Sequence, residues 1–343
     1  MKALVLTDYR KLELQDLPKP VPGPDEALIR VEACGICGSD VHGFDGSTGR
    51  RIPPLVMGHE AAGVVADVGA QVQGLRQGQR VTFDSTVSCG HCFFCQRGHI
   101  NLCDNRQVLG VSCGDYRRAG AFAEFVVVPA RILYPLPDSL SFQKAAMIEA
   151  ISVAVHAVEI TPIALNDTVT VVGTGMIGLL TLQAAKLAGA SRIIAVDVDD
   201  GRLETARSLG ATDTVNAKKT SAPSAIREIT GGRGADAAFE CVGTTATVSS
   251  SIESTRKGGT VTLVGNIAPK IELALQSVVT RQIRLQGSCA SSGEIPACID
   301  LLASGAIRVD PMLSAFAPLE EGAGWFERLY NHEANLMKVV LHP

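Results

Sequence analysis

The sequence predicts an α/β protein in two parts: a small, mostly β domain and a doubly wound parallel-sheet domain. Three observations predict it. Up to about residue 130, short β-like runs alternate with Gly/Pro turns. From Asp167 onward, strand and helix patterns alternate, as in a parallel sheet with crossover helices. The first strand of that second part runs straight into a glycine-rich turn. A chain of 343 residues has room for two domains of roughly 150 residues each.

In the first part, residues 27–33, 62–68, 80–83 and 123–128 carry the β pattern. Residues 142–158 then place Ala, Met, Ile and Val at helical spacing. Further along, 169–172, 192–196, 235–240 and 260–264 read as strands, and 179–188, 202–209 and 245–256 as helices. After about Ser288 the regularity fades, leaving helix-like segments at 295–302 and 318–330 and a last strand at 337–341.

Composition narrows the function. A net charge of −4 gives no field to attract polyanions, so no nucleic-acid partner is expected. With 46% hydrophobic and 19% charged residues, the chain is too apolar for disorder. No apolar run approaches the roughly 20 residues of a membrane span, and the first eight residues lack a secretory pattern. A soluble, cytoplasmic protein without a membrane partner is expected. Reduced cysteines in that compartment point to metal rather than disulfides, because four of the ten cluster tightly.

The glycine turn, Gly173-Thr174-Gly175-Met176-Ile177-Gly178, follows the strand Val169-Thr170-Val171-Val172 and opens a helix at Leu179. Gly173 permits the tight turn, Gly175 lets a pyrophosphate approach the backbone beside Met176 and Ile177, and Gly178 lets helix and strand pack closely. The next strand ends in Asp197, placed to accept hydrogen bonds from the adenosine ribose. A 2′-phosphate there faces a carboxylate, which favours NAD over NADP. Arg202 is a candidate to lie over the adenine.

Cys89, Cys92, Cys95 and Cys103 form C-x2-C-x2-C-x7-C, which can close a tetrahedral shell around a structural Zn²⁺. A [4Fe–4S] cluster also takes four cysteines. His91 and His99 are surface residues on this reading, since the shell is already full. The remaining cysteines, Cys34, Cys113, Cys241, Cys289 and Cys298, read as packing residues.

Gly35-Ile36-Cys37-Gly38-Ser39-Asp40-Val41-His42 and Gly58-His59-Glu60 supply Cys, His and carboxylate ligands in two Gly-flanked segments. Alongside a nucleotide fold and a four-cysteine lobe, they suggest a second, open zinc site. Together with Gly120-Ala121-Phe122-Ala123-Glu124-Phe125, these motifs make the chain resemble the zinc-containing medium-chain dehydrogenase/reductase family nearly end to end.

The resemblance implies a GroES-like catalytic domain from both chain ends, residues 1–151 and 289–343, around an inserted Rossmann NAD-binding domain, 152–288. Ile148-Glu149-Ala150 resembles the polyol branch, which has glutamate in an Ile-Glu-Pro setting where the ethanol-oxidising branch carries a cysteine, with Ala150 here in place of the proline. It implies Cys37, His59 and Glu60 as ligands of a catalytic zinc, with Glu149 holding the zinc-bound water or exchanging with Glu60. It further implies that Ser39 takes the substrate proton and passes it through the nicotinamide ribose to His42, and that Asp40 accepts a hydrogen bond from His59.

The expected activity is zinc-dependent hydride transfer to NAD from a secondary alcohol of a small-molecule polyol, such as sorbitol or L-iditol, or of a polyol phosphate such as galactitol 1-phosphate. Threonine or 2,3-butanediol dehydrogenase is the alternative enzyme, and a non-catalytic NAD-binding sensor or scaffold the alternative of another class. Two zinc ions per chain and a homo-oligomer, dimer or tetramer, are implied. Gly43 stands where an aromatic is usual and leaves a roomier or reshaped pocket. Arg50 and Arg51 are expected to be a solvated loop pair, with phosphate binding as the alternative.

Overall fold

The computed structural model describes residues 1–113 and 116–343, which divide into two compact units. One comprises Met1–Glu149 and Ser292–Pro343, the other Ala150–Ser291. The Cys113 side chain lies outside the described residues.

The first unit is organised by the strand Glu26–Gly35. Its alternating Leu28, Arg30 and Glu32 against Ala27, Ile29 and Val31 suits a sheet with neighbours on both sides. It pairs antiparallel with Glu60–Val68, with Phe125–Pro129 and with the last strand, Lys338–His342. Two registers define the surroundings of Gly35: it lies opposite Glu60 on one side and opposite Val340 on the other. The end of the long strand therefore meets a residue of a neighbouring strand and residues from the chain's terminus. Arg80–Phe83 continues the sheet on one side, and Leu313–Pro318 pairs parallel to Lys338–His342 on the other. A smaller sheet is made by Lys2–Asp8, Lys11–Asp16 and Leu55–Val56.

Just past the long strand, the short helix Gly38–Gly43 is anchored at both ends. Cys37 caps its start: the Cys37 side chain accepts from the Ser39 N–H, and the Asp40 carboxylate accepts from the Cys37 N–H. At its end Phe44 is fully buried, with ring centroids 5.6 Å from Phe326 of the helix Gly322–Tyr330. Phe326 also meets Phe122 edge-on at 5.7 Å. Three buried aromatics thus tie the C-terminal segment to the helix that carries Ser39 and His42.

The second unit holds a six-stranded, all-parallel sheet in the order Asp213–Asn216, Arg192–Asp197, Thr168–Val172, Ala235–Glu240, Thr255–Leu263, Arg284–Gly287. This is the doubly wound Rossmann order, with the first strand in the middle. The central Thr168–Val172 is buried throughout, as a strand covered on both faces must be.

Several elements differ from expectation. The helix expected over 142–158 is two helices, Phe142–Ala145 and Ile148–Glu159, and the break places Glu149 in the first turn of the second. Pro318 ends a strand, and the helix expected from it begins at Gly322. Strands Asp213–Asn216 and Arg284–Gly287 have no counterpart in the sequence pattern, because half-buried strands of mixed polarity show no clean period of two.

Phe326→Ala is expected to lower the unfolding free energy by about 3–5 kcal/mol, the ordinary cost of emptying a buried aromatic site. Denaturant melts check the magnitude; a change below about 1 kcal/mol would mean that the three rings do not anchor the segment.

Candidate metal centres and nucleotide turn

Sγ of Cys37, an imidazole nitrogen of His59 and a carboxylate oxygen of Glu60 all lie within 4.8 Å of one another. Strand register produces this convergence: Cys37 follows the strand end at Gly35, and Glu60 sits opposite Gly35. Glu60 is fully buried and His59 is 6% exposed. Glu60 Oε1 and His59 Nδ1 have no hydrogen-bond partner among the described residues. Orphaned buried donors and acceptors are costly unless something else satisfies them. A thiolate, an imidazole and a carboxylate at this spacing suit one Zn²⁺, so the residues present fit a metal ion.

The other oxygen of Glu60, Oε2, accepts from the ammonium of Lys338, which also donates to Ile36 O at 2.9 Å. Both side chains of the pair are 1% exposed. The only sign of Lys338 in the sequence is a single cation heading an apolar strand, too common a pattern to mark a site. Glu149 stands outside the tight group. It is half-buried, its Oε1 accepts from Ser85 Oγ at 3.1 Å, and burial pushes its carboxyl up to about 7.

Arg51 departs from expectation. Asp40 Oδ1 lies 3.5 Å from His59 Nδ1 and so faces it, as the resemblance implies. That oxygen is taken by Arg51, whose Nε and Nη2 donate at 3.0 and 2.8 Å. Burial disfavours the Asp40 charge, but His59 and Arg51 outweigh it and hold the carboxyl well below its usual range. Burial likewise opposes a charged His59, yet Asp40 and Cys37 carry it well above the usual imidazole value. Arg51 is 3% exposed, so it is not a solvated loop residue, whereas Arg50 is exposed. Gly43 opens no extra room, since a Cβ there would sit 2.3 Å from Arg51 Cγ. Ser39 and His42 share the short helix and are both exposed.

The sulfurs of Cys89, Cys92, Cys95 and Cys103 also lie within 4.8 Å of one another. Four thiolates around a single tetrahedral Zn²⁺ lie about 3.8 Å apart, given Zn–S bonds of about 2.3 Å. A cubane, whose thiolates attach to four different irons, needs a wider set. The backbone N–H groups of Cys89 and Asn105 donate to Cys103 Sγ at 3.2 and 3.3 Å. The backbone N–H of His91 draws the Cys89 thiol down to about 6, while burial pushes Cys103 up to about 11. His91 and His99 are exposed, as expected of side chains outside a filled shell. Cys34 and Cys298 are buried packing residues, Cys241 is half-buried, and Cys289 is exposed, so it does not pack a core.

In the second unit, Gly173 adopts φ +90°, and a Cβ on Gly178 would fall 1.8 Å from Gly173 O. Side chains are therefore excluded at both positions. A Cβ on Gly175 would meet nothing within 4 Å, which leaves the approach to the start of the helix Met176–Leu187 clear. Met176 and Ile177 are half-buried in its first turn. Asp197 is already well occupied. Oδ2 accepts from Thr174 N and Oγ1 at 2.7 and 2.9 Å, and Oδ1 accepts from Val198 N and Asp199 N at 2.7 and 3.1 Å. A ribose hydroxyl must share or displace one of these. Arg202 is exposed, with its backbone N–H on the Asp199 cap.

Residues 23–138 match the family described as alcohol dehydrogenase GroES-like domain, and 177–304 that described as zinc-binding dehydrogenase. The chain is 35% identical to sorbitol dehydrogenase of Bacillus subtilis, over 100% of this chain and 97% of that one. It is 36% identical to D-arabitol-phosphate dehydrogenase of Enterococcus avium, over 97% and 94%. Among solved structures, a putative zinc-binding dehydrogenase from Sinorhizobium meliloti bound to NADP matches with a TM-score of 0.91 and 34% identity, covering 100% of this chain and 99% of that one. The chain belongs to the zinc-dependent medium-chain alcohol and polyol dehydrogenases. Its first unit is thus the GroES-like part of the fold and its second the Rossmann part. No helix among the described residues is long and apolar enough to cross a membrane.

A further buried acid of this dehydrogenase, with no metal-ligand motif, is Asp84, close enough to Glu149 to oppose its charge. Its Oδ1 accepts from Thr86 N at 2.8 Å, while Oδ2 has no partner among the described residues. Burial raises its carboxyl to about 6, and Glu294 adds to the effect. An unfolded aspartate titrates near 3.9. Between about pH 4 and pH 6 the folded state therefore holds a proton that the unfolded state has lost, and stability falls as pH rises through that window. Relative to the native chain, Asp84→Asn is expected to gain about 1 kcal/mol of unfolding free energy between pH 5 and pH 7.5. Denaturant melts at both pH values check it, and a pH-independent difference would contradict the assignment.

Proposed function

We propose that this dehydrogenase oxidises a secondary alcohol of a free polyol, of the sorbitol or L-iditol type, to the ketose, with NAD as acceptor. The observation that carries the reading is the convergence of Cys37, His59 and Glu60, with Glu60 Oε1 unpartnered among the described residues. Its relatives named for sorbitol and arabitol phosphate support the substrate class. Arg51, the candidate phosphate ligand, is consumed by Asp40, which favours the unphosphorylated polyol.

Zinc held by Cys37, His59 and Glu60 supplies a Lewis acid that lets an alcohol lose its proton near neutral pH, and NAD supplies the hydride acceptor. The substrate carbinol loses its hydroxyl proton and a hydride; the products are a ketone, NADH and one proton. Ser39 Oγ receives the hydroxyl proton as its own proton is released, and His42, exposed on the same helix, takes up the released proton and delivers it to water. Glu149, with its carboxyl raised to about 7, holds a water or a substrate hydroxyl in the site. Asp40 fixes Arg51 and, lying beside His59 Nδ1, orients that imidazole as a neutral ligand.

Residues 1–151 and 289–343 act as the catalytic domain, and 152–288 binds NAD. The pyrophosphate lies on the turn Gly173 to Gly178, and the ribose is received at Asp197, where a carboxylate disfavours NADP. Arg202 covers the adenine. Cys89, Cys92, Cys95 and Cys103 hold a second, structural zinc. The chain works as a homotetramer in the cytoplasm.

A panel of sorbitol, galactitol 1-phosphate, 2,3-butanediol and threonine, each with NAD and NADP and read as reduced nicotinamide, tests the proposal. Sorbitol with NAD is expected to turn over fastest. Turnover confined to threonine would overturn the polyol reading, and nicotinamide binding with no turnover on any substrate would favour a sensor or scaffold.

Metal analysis is expected to find about two zinc ions per chain. Cys103→Ser should remove one of them and lower the thermal midpoint. Glu60→Ala should abolish turnover while NAD still binds, and retained turnover in that variant would refute the ligand assignment.

A further inference from the structure

The side chain of Arg51 does more than neutralise Asp40. Its Nη2 donates both to Asp40 Oδ1 at 2.8 Å and to Ser39 Oγ at 3.1 Å. Ser39 Oγ in turn donates to Cys37 Sγ at 3.2 Å. Because a guanidinium has donors only, its bond to Ser39 consumes one lone pair of the hydroxyl and forces the serine proton elsewhere. Here that proton points to Cys37. One lone pair of Ser39 is left open, and its direction is fixed by the other two bonds.

We propose that Arg51 is a positioning residue for the reaction, one that holds Ser39 Oγ with a single lone pair open to the substrate proton. As that proton bonds to Oγ, the serine's own proton leaves its bond to Cys37 Sγ and passes outward toward His42. An exposed serine left alone samples its staggered χ1 wells freely. Arg51 can restrict it because Arg51 is itself immobile. Nε and Nη2 grip the fully buried Asp40, and the aliphatic stem lies across Gly43, where a Cβ would come within 2.3 Å of Cγ. The absence of a side chain at residue 43 is thus the steric condition for the arm's path. A lysine at 51 keeps the charge opposite Asp40 but lacks the planar fork that reaches carboxylate and hydroxyl together.

This inference rests on the role proposed above for Ser39, and the test separates the two. Arg51→Lys, Ser39→Ala and the double variant are assayed as metal-loaded protein for sorbitol oxidation with NAD, with zinc content measured for each. Arg51→Lys is expected to keep its zinc and its KM for NAD while kcat falls at least tenfold. In the Ser39→Ala background the same substitution should cost less than about threefold, since the group it acts through is gone. A crystal structure of Arg51→Lys should show Asp40 still paired and Ser39 Oγ turned away from Cys37 Sγ.

If Ser39→Ala leaves kcat unchanged, the proton-transfer role of Ser39 fails and this inference with it. If Ser39→Ala is impaired but the Arg51 loss persists undiminished in the double variant, only this inference fails, and Arg51 serves Asp40 alone. Gly43→Val, which forces the stem aside while leaving every polar group in place, is expected to reproduce the kcat loss. An unchanged kcat in that variant overturns the steric part of the proposal.

Discussion

The first unit depends on how it pays for a carboxylate buried at the end of its longest strand. Glu60 enters the interior opposite Gly35, and an ion there without a partner costs several kcal/mol even after relaxation. Lys338 meets it from the last strand and is held in turn by the carbonyl of Ile36. A buried ion pair is rarely a gain over two apolar residues. Its value here is specificity of place, because only one register of the terminal strand sets Lys338 against Glu60. Glu60 lies with Cys37 and His59, and its Oε1 has no partner of its own among the described residues. The fold thus compensates one half of the carboxylate and leaves the other for a ligand.

Constraint of a similar kind governs the helix that starts at Cys37. Capping at the thiol end, aromatic packing at Phe44 and the Arg51–Asp40 pair beneath leave this six-residue segment little freedom. Isolated helices so short do not form in water. Its order comes from tertiary contacts, and those contacts reach residues 40 and 44 on one side while leaving 39 and 42 exposed on the other. The buried side fixes the segment in place and leaves the other side open.

How much of this was legible in the sequence depends on the range of each interaction. Local patterns are read directly: the glycine turn, the four-cysteine spacing, and the Gly-flanked segments that hold Cys37 and His59–Glu60 each carry their residues close together in the chain. Lys338 cannot be found that way, since its partner lies 278 residues earlier and the pairing exists only once the terminal strand has docked. Arginines beside Gly and Pro in a loop are usually solvated, and Arg51 breaks that rule. What reverses the expectation is a fully buried Asp40, whose burial cannot be seen in a string of letters. Gly43 deceives for the same reason: its missing side chain suggests a vacancy toward substrate, whereas it is a track for a neighbouring side chain.

The two carboxylates near Cys37 illustrate why residue type underdetermines role. Glu60 and Glu149 are chemically the same group, and the sequence leaves open which of them holds the metal. Their surroundings differ in kind. Glu60 has a cation on one oxygen and lies with Cys37 and His59, so its negative charge is balanced before any metal arrives. Glu149 accepts from a neutral serine hydroxyl, and burial lifts its carboxyl to about 7, with His59 opposing the rise and Glu60 and Asp84 adding to it. Opposed environments on paired acids are how one site keeps a fixed anion and a proton-carrying group side by side. The asymmetry arises from where Lys338 docks rather than from either glutamate.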